Sequence, residues 1–306
     1  MTAIENLPVD ILYSIFREFE IDDLINVRTT CTAFRNAVDS IKKFSGTVNA
    51  MSMAEYGIST LPLVDYSACK FVFHYHVSMI CDMLKVVVAT NNEMNSVVIQ
   101  SPSERLWHKY DGYTTFYPML HKIKCIELHS NFPVKKFNSL KSVEEVVWDI
   151  GGISFDTTMR LCKIVSLPKI KKLTLKIGSA FELDKLFDFE PFIDIINEKD
   201  IHVTISTYAL MVDKFAAYRG IKRLTIYTYY VGCVGTEPFT LRITNHKEFT
   251  LHLINFSRRM TVVFQNVKQF TFHDVSQFHR TYTFVFKVHH NPSAMFLAGN
   301  GNVVIE

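Results

Sequence analysis

The sequence predicts a mixed α+β and α/β chain: three short helices first, then an irregular strand and helix repeat that turns strand-rich toward the C-terminus. Three observations predict it. Apolar residues recur with a helical period over the first forty-odd positions, and the texture changes near Phe44. Beyond residue 120, hexads of one shape return at intervals of 20–27 residues or twice that. The composition permits such a build. With 306 residues, 48% apolar and 21% charged, the chain can bury a core as one large domain or two ordinary ones.

The first helix opens at Asn6-Leu7-Pro8, where Asn6 can cap and Pro8 gives up no N–H that the helix needs. Ile11, Leu12, Ile15, Phe16 and Phe19 lay one apolar stripe along it, while Asp10, Ser14, Arg17 and Glu18 point away. Asp22 caps a short second helix carrying Leu24, Ile25 and Val27. The Thr29-Thr30 pair interrupts it, because threonine hydroxyls compete for backbone groups. A third helix starts at about Cys31, carries Phe34, Ala37, Val38 and Ile41, and ends near Lys42-Lys43, which suit its C-terminal dipole. Some forty residues make a marginal core, so such a unit leans on something else.

The run LPVDILYSIFREFEIDDLINVRTTCTAFRNAVDS resembles an F-box. It has the Leu-Pro opening, the Ile-Leu and Ile-Phe steps, an acidic-Leu second helix, then Cys and an aromatic-Arg pair. It departs from the family at Phe34, where most members carry Trp, and at Thr30, where Val is usual. The resemblance implies a domain over residues 1–45 that docks on the Skp-type adaptor of an SCF (Skp-cullin-F-box) ubiquitin ligase, and through it on a cullin. Leu7, Pro8, Ile11, Leu12, Ile15, Phe16, Leu24 and Phe34 would form the adaptor-binding face. A helix laid in a groove is anchored by a few large apolar side chains, so Leu12, Ile15 and Phe16 are the expected hot spots.

Residues 46–306 form the second predicted domain. VFHYHV at 72–77, KVVVA at 85–89 and SVVIQ ending at Gln100 read as strands, and Ser101 to Glu104 can cap a helix. The hexads follow: IKCIEL from Ile123, VEEVVW from Val143, IKKLTL from Ile170, IKRLTI from Ile221, HKEFTL from His246 and VKQFTF from Val267. IHVTIS from Ile201 fills the one double gap. This period falls in the leucine-rich-repeat range, with one strand of a parallel sheet per unit and a return segment behind it. Ile123, Ile126, Leu128 and Asn131 fit that repeat's spacing; the other units lack the Asn, so no asparagine ladder is expected. Helical returns are expected over Thr157 to Val165, Phe181 to Ile196 and Tyr208 to Tyr218, the last ending at Gly220. After Ile226 only strands are expected. F-box and degenerate repeat together resemble the nematode F-box families with an FTH-type or related C-terminal domain, which implies a variable receptor domain that recruits targets for ubiquitination.

Several kinds of chemistry find no support. A balance of 33 Lys and Arg against 30 Asp and Glu is too even for a protein that neutralises phosphates in series, so no nucleic-acid partner is expected. Six cysteines at 31, 69, 81, 125, 162 and 233 contain no CxxC pair. His74 and His76 share a strand face near Cys69, but no third and fourth ligand follows, so no metal is expected. No phosphate loop, dinucleotide fingerprint or nucleophile elbow is present; Gly232 to Gly235 reads as a turn. The chain start lacks a secretory pattern and no apolar run approaches the ~18 residues of a membrane span, which favours a cytoplasmic or nuclear protein with reduced thiols. Lys171-Lys172, Lys222-Arg223 and Arg258-Arg259 tint the repeat basic, and Tyr227, Tyr229 and Tyr230 would suit a recognition surface.

The expected function is therefore a non-enzymatic receptor, without cofactor or catalytic residue, holding a target protein by residues 46–306. An adaptor-bound scaffold outside a cullin ligase has the same sequence signature. An enzyme would need a nucleophile-base or metal constellation.

Overall fold

A computed structural model of the chain describes residues 4–19, 21–41, 43–49, 65–74, 94–100, 123–129, 140–150, 155–178, 189–211, 220–232, 239–256, 260–274, 283–289, 294–298 and 302–305. They divide into two units, Met1–Glu144 and Glu145–Glu306. The boundary that the sequence places at residue 45 lies inside the first unit, where a strand follows the third helix almost directly and the second helix packs against it.

In the first unit, a 3-10 turn (Ile4–Asn6) leads into α1 (Val9–Phe16), α2 (Ile21–Thr30) and α3 (Thr32–Asp39). Pro8, not Asn6, is the residue that caps α1: its extended backbone turns the chain into the helix, and its carbonyl accepts from Ile11 and Leu12 N–H at 3.1 Å. Thr29 and Thr30 complete α2 rather than preceding its end. Their hydroxyls donate back to the Asn26 carbonyl at 2.7 and 3.3 Å, and Cys31 is extended beyond them. Arg28 ties α2 to α3 through both carboxylate oxygens of Asp39, at 2.7 and 3.3 Å. Four parallel strands follow in spatial order: β1 (Lys43–Asn49), β2 (Asp65–His74), β3 (Met94–Gln100) and β4 (Ile123–His129). The expected strand at 85–89, the cap at 101–104 and Asn131 lie outside the described residues.

The second unit begins with β5 (Glu145–Ile150), α4 (Phe155–Val165), β6 (Lys172–Ile177), α5 (Glu190–Glu198), β7 (His202–Met211) and β8 (Arg223–Gly232). It continues with β9 (Phe239–Thr244), β10 (Glu248–Phe256), β11 (Met260–Gln265), β12 (Gln269–Asp274), β13 (Thr283–His289), β14 (Ala294–Ala298) and β15 (Asn302–Ile305). Among the described residues every strand pairing of this unit is parallel. The strands after β8 alternate between two sheets: β10, β12 and β14 extend the sheet of β5–β8, while β9, β11, β13 and β15 form a second sheet.

The hexads are in register, which is what makes one core of them. Val146, Leu173, Val203, Leu224, Phe249 and Phe270 pair across successive strands and are all buried. Trp148, Leu175, Ile205, Ile226 and Leu251 form a second buried row two residues on. IHVTIS is one residue out of phase with the rest, since Val203 rather than Thr204 pairs with Leu224. A left-handed residue precedes four of the strands: Asp200, Gly220, Asn245 and Asn266, with φ of 53°, 94°, 60° and 56°. Gly, Asn and Asp are the residues that tolerate this turn.

Two expectations are corrected here. The helix expected at 208–218 begins as strand, because the alternation of β7 runs on through Tyr208 to Met211; residues 212–219 lie outside the described ones. The helix expected at 181–196 is described at Glu190–Glu198, with Pro191 in its first turn. Two of the left-handed turns are joined by their asparagines: Asn266 Nδ2 donates to Asn245 Oδ1 at 3.0 Å. Asn197 extends the same economy, donating to the Gly220 carbonyl and accepting from the Lys222 N–H at 2.9 Å.

His246 stands where the neighbouring hexads carry Ile221 and Val267, and it is just as buried. Its Nδ1 lies 2.7 Å from the Ile221 carbonyl, to which a neutral ring donates. Burial lowers its pKa from the ordinary 6.5 to about 4, the backbone hydrogen bond opposing only in part. The folded ring therefore stays neutral where the unfolded one takes a proton, so stability falls as pH drops from 6.5 toward 4 and levels off below. The loss between pH 7 and pH 5 is expected to be roughly 2 kcal/mol. Urea midpoints of the chain and of His246→Val at the two pH values check it: the variant should lose markedly less on acidification.

Candidate binding surfaces

Along α1 the apolar stripe splits into two faces. Leu12 (0% exposed) and Phe16 (4%) turn inward with Leu24 (2%), Ala37, Val38 and Ile41, forming the small core of the helices. Phe34 is half-buried and meets Phe16 edge-on at 5.1 Å between ring centroids. Ile11 (45%) and Ile15 (42%) point outward, one helical turn apart. Leu7, Pro8, Val9 and Ile4 continue that exposed apolar surface toward the N-terminus, and Phe19 continues it past the helix end. Of the eight residues expected on the docking face, Leu12, Phe16 and Leu24 are thus occupied by the chain's own core, whereas Leu7, Pro8, Ile11 and Ile15 are free to meet another molecule. Val9, two residues before the expected stripe, belongs to this exposed surface as well.

In the second unit, the residues that alternate with the buried rows line the other face of the sheet. Thr174, Thr204, Thr225, Thr250 and Thr271 form one row across five strands. Thr225 Oγ1 lies 2.8 Å from His202 Nε2. Burial first, then Arg223 and Lys172, hold the His202 pKa below the usual imidazole value against the pull of Glu248. The next row is Asp149, Lys176, Ser206, Tyr227, His252 and His273. Its aromatic members stack face to face: Tyr227 on His252 at 4.1 Å and His252 on His273 at 4.4 Å. Burial and the neighbouring His273 both push the His252 pKa down, favouring the neutral, stacked ring. Two residues further along the strands, Tyr208 stacks on Tyr229 at 5.1 Å.

Tyr208, Tyr227 and Tyr229 are the most exposed large rings described in this unit, and all three line a cleft of about 410 Å³ above Ser206 and Gly178. Tyr227 and Tyr229 were expected from sequence; Tyr230 also lies on β8. Tyr208 was missed because it was assigned to a helix. His252, His273 and Lys176 each occupy the seventh position counted from a hexad start, as Tyr227 does, so aligning the hexads reveals the row. Ser206 escapes that count because its hexad is out of phase. The basic tint survives in part: Lys171, Lys172 and Lys222 are exposed, whereas Arg223 is held by Glu248 at 3.0 Å and Asp200 at 3.5 Å.

Among the described residues, no group of three or more His, Cys, Asp or Glu is placed to hold a metal ion. Cys69 is buried on β2, His74 ends that strand, and His76 lies outside the described residues. Among the described residues no helix is long and apolar enough to cross a membrane.

Residues 4–45 match the F-box domain. F-box domains bind Skp-type adaptors, and proteins that carry them serve generally as substrate receptors of SCF ubiquitin ligases and are typically non-enzymatic. No curated protein and no solved structure matches the chain.

Proposed function

We propose that this chain is the substrate-recognition subunit of an SCF-type ubiquitin ligase. The F-box docks on a Skp-type adaptor and through it on a cullin, and the parallel-sheet unit holds a target protein. The observation that carries the reading is the F-box match at residues 4–45, within which Leu7, Ile11 and Ile15 stay exposed. Three exposed apolar side chains at four-residue spacing form the kind of ridge that a partner groove accepts. The second unit, read as an irregular leucine-rich-repeat-like receptor domain of the variable type found in nematode F-box families, supplies the other half. Its tyrosine-lined face is the proposed target side. Catalysis belongs to other chains. By tethering target and ligase, this subunit raises the effective concentration of target lysines near a charged ubiquitin carrier. The proposed site of action is the cytoplasm or nucleus.

Co-expression with a Skp-type adaptor and the N-terminal half of a cullin tests it. All three chains are expected to elute as one complex in size exclusion. A binary complex that never takes up the cullin would reduce the chain to a scaffold, and a chain that folds and elutes alone would sink the reading.

A further inference from the structure

The outer face of the second unit carries three rings in contact: Tyr227, His252 and His273, in register on β8, β10 and β12. Their centroids lie 4.1 and 4.4 Å apart, with planes within 11° and 6° of parallel. Strands are spaced by about 4.8 Å, so the backbone ladder sets this separation, and a ring leaves its neighbour only by turning about its own side-chain bonds. Around the pair of histidines, the residue in register on β8 is Tyr227 and on β14 it is Ala298. Thr225, Thr250 and Thr271 form the row before, and in the row after Tyr229 stacks on Tyr208. Glu248, four residues ahead of His252 on β10, is held by Arg223 at 3.0 Å, and Asp274 pairs in register with Leu253 rather than with His252. Lys176 and Asp149 share the row of the rings but stand beyond Ser206, three and four strands from His252. Among the described residues, the group of variable charge that His252 meets at closest range, apart from the phenol of Tyr227, is therefore a second histidine.

We propose that His252 and His273 form a pH-sensitive switch in this face, closed while the rings are stacked and opened by His273 turning away once both are protonated. The stack accepts one proton, because an imidazolium beside Tyr227 is attracted by the electron-rich face of the phenol ring. A second proton sets like charges 4.4 Å apart, which the fixed strand spacing cannot relieve. His273 is the ring that yields. Its far neighbour in register is Ala298, so it gives up one ring contact by leaving, whereas His252 would also give up Tyr227. Burial and the His273 charge both oppose a proton on His252. The closed stack is therefore complete above the ordinary imidazole value of 6.5 and is lost as pH falls below it. What the switch controls rests on the receptor reading above: a target seated on the flat, neutral row at neutral pH is released when the row becomes doubly charged and parts.

The test uses the full chain, co-expressed with a Skp-type adaptor and labelled at its histidine and tyrosine rings, in an NMR titration from pH 8 to about pH 4.5. The pair is expected to take up its protons in two steps. The nuclear Overhauser contact between the His252 and His273 rings should vanish with the second step, while the contact between Tyr227 and His252 remains. His273→Phe keeps a ring in place that takes no proton. In that variant the contact with His252 should persist at the acid end, and His252 should titrate at higher pH than in the parent. Should the parent unfold before the second step, His246→Val, expected to lose less on acidification, carries the same measurement. A His252 titration unmoved by His273→Phe overturns the proposal. So does a His252–His273 contact that survives with both rings charged, the loss of both ring contacts together, or a pair that has not taken both protons in the folded chain by the acid end. Adaptor co-elution reports separately on the receptor reading. A complex that forms while its rings stay stacked ends the switch alone, and rings that part in a chain without affinity for the adaptor end the receptor reading alone.

Discussion

Ile11→Asp/Ile15→Asp is expected to lose the Skp-type adaptor by at least a hundredfold while leaving the thermal midpoint within a few degrees of the parent. Each side chain is nearly half exposed, so the folded chain surrenders little when it is replaced. In a complex the same carboxylates would be pressed into an apolar groove. Interface hot spots each cost about 2 kcal/mol or more on truncation, and burying an unpaired charge adds to that, which places the double change beyond a hundredfold. The contrast with Leu12→Ala/Phe16→Ala makes the test specific. That pair hollows the helical core, and large-to-small changes at fully buried positions cost about 2–5 kcal/mol each, more than a forty-residue module can spare. Both variants would fail a co-elution assay, for different reasons. Circular dichroism melts of both, with titration calorimetry of the first against purified adaptor, separate them. Should Ile11→Asp/Ile15→Asp bind like the parent, the exposed ridge is not the docking face.

Phe249→Ala should be among the most damaging single changes at the described positions of the second unit, costing about 3–5 kcal/mol. Phe249 is 1% exposed, stacks on Phe270 at 6.0 Å between centroids, and sits 5.2 Å from the His246 ring. Truncation would open a cavity in a row that runs through six strands, where parallel pairing forbids the neighbours from collapsing sideways into it. Phe249→Leu keeps most of the volume and should cost nearer 1 kcal/mol. Tyr208→Ala, on the exposed face of the same sheet, should stay within about 0.5 kcal/mol of the parent. Urea unfolding of the three variants settles the order, and equal losses at Phe249 and Tyr208 would contradict the buried and outward division of the strands.

Much of this architecture was legible in the residues, because the hydrophobic effect writes itself as a period. The helices of residues 9–39 and the strands of the hexads both follow from apolar spacing, and both are present in the structure. What spacing does not reveal is which side of an apolar residue its own chain will cover. A stripe two residues wide, such as Ile11-Leu12 and Ile15-Phe16, reads as one surface, yet successive residues on a helix differ by about 100° and end on different sides. Tyr208 failed for a related reason. YALMVDKFAAY has apolar residues at intervals that satisfy either period, and the pairing of β7 with β8 decided for strand over its first four residues. Asn245 and Asn266 were not singled out either, because they stand before the strands, where they take up left-handed turns and bond to each other.

The alternation along β6, β7, β8, β10 and β12 also bears on inheritance. Residues that hold the sheet together and residues that face outward are interleaved one by one, so selection for folding and selection for contact read different codons of the same short stretch. Copies of a gene encoding such a unit could drift apart at Lys176, Ser206, Tyr227, His252 and His273 while Leu175, Ile205, Ile226 and Leu251 stayed fixed. Point substitution would then diversify the surface freely, whereas loss or gain of a single codon within a strand would exchange the two sets and be eliminated.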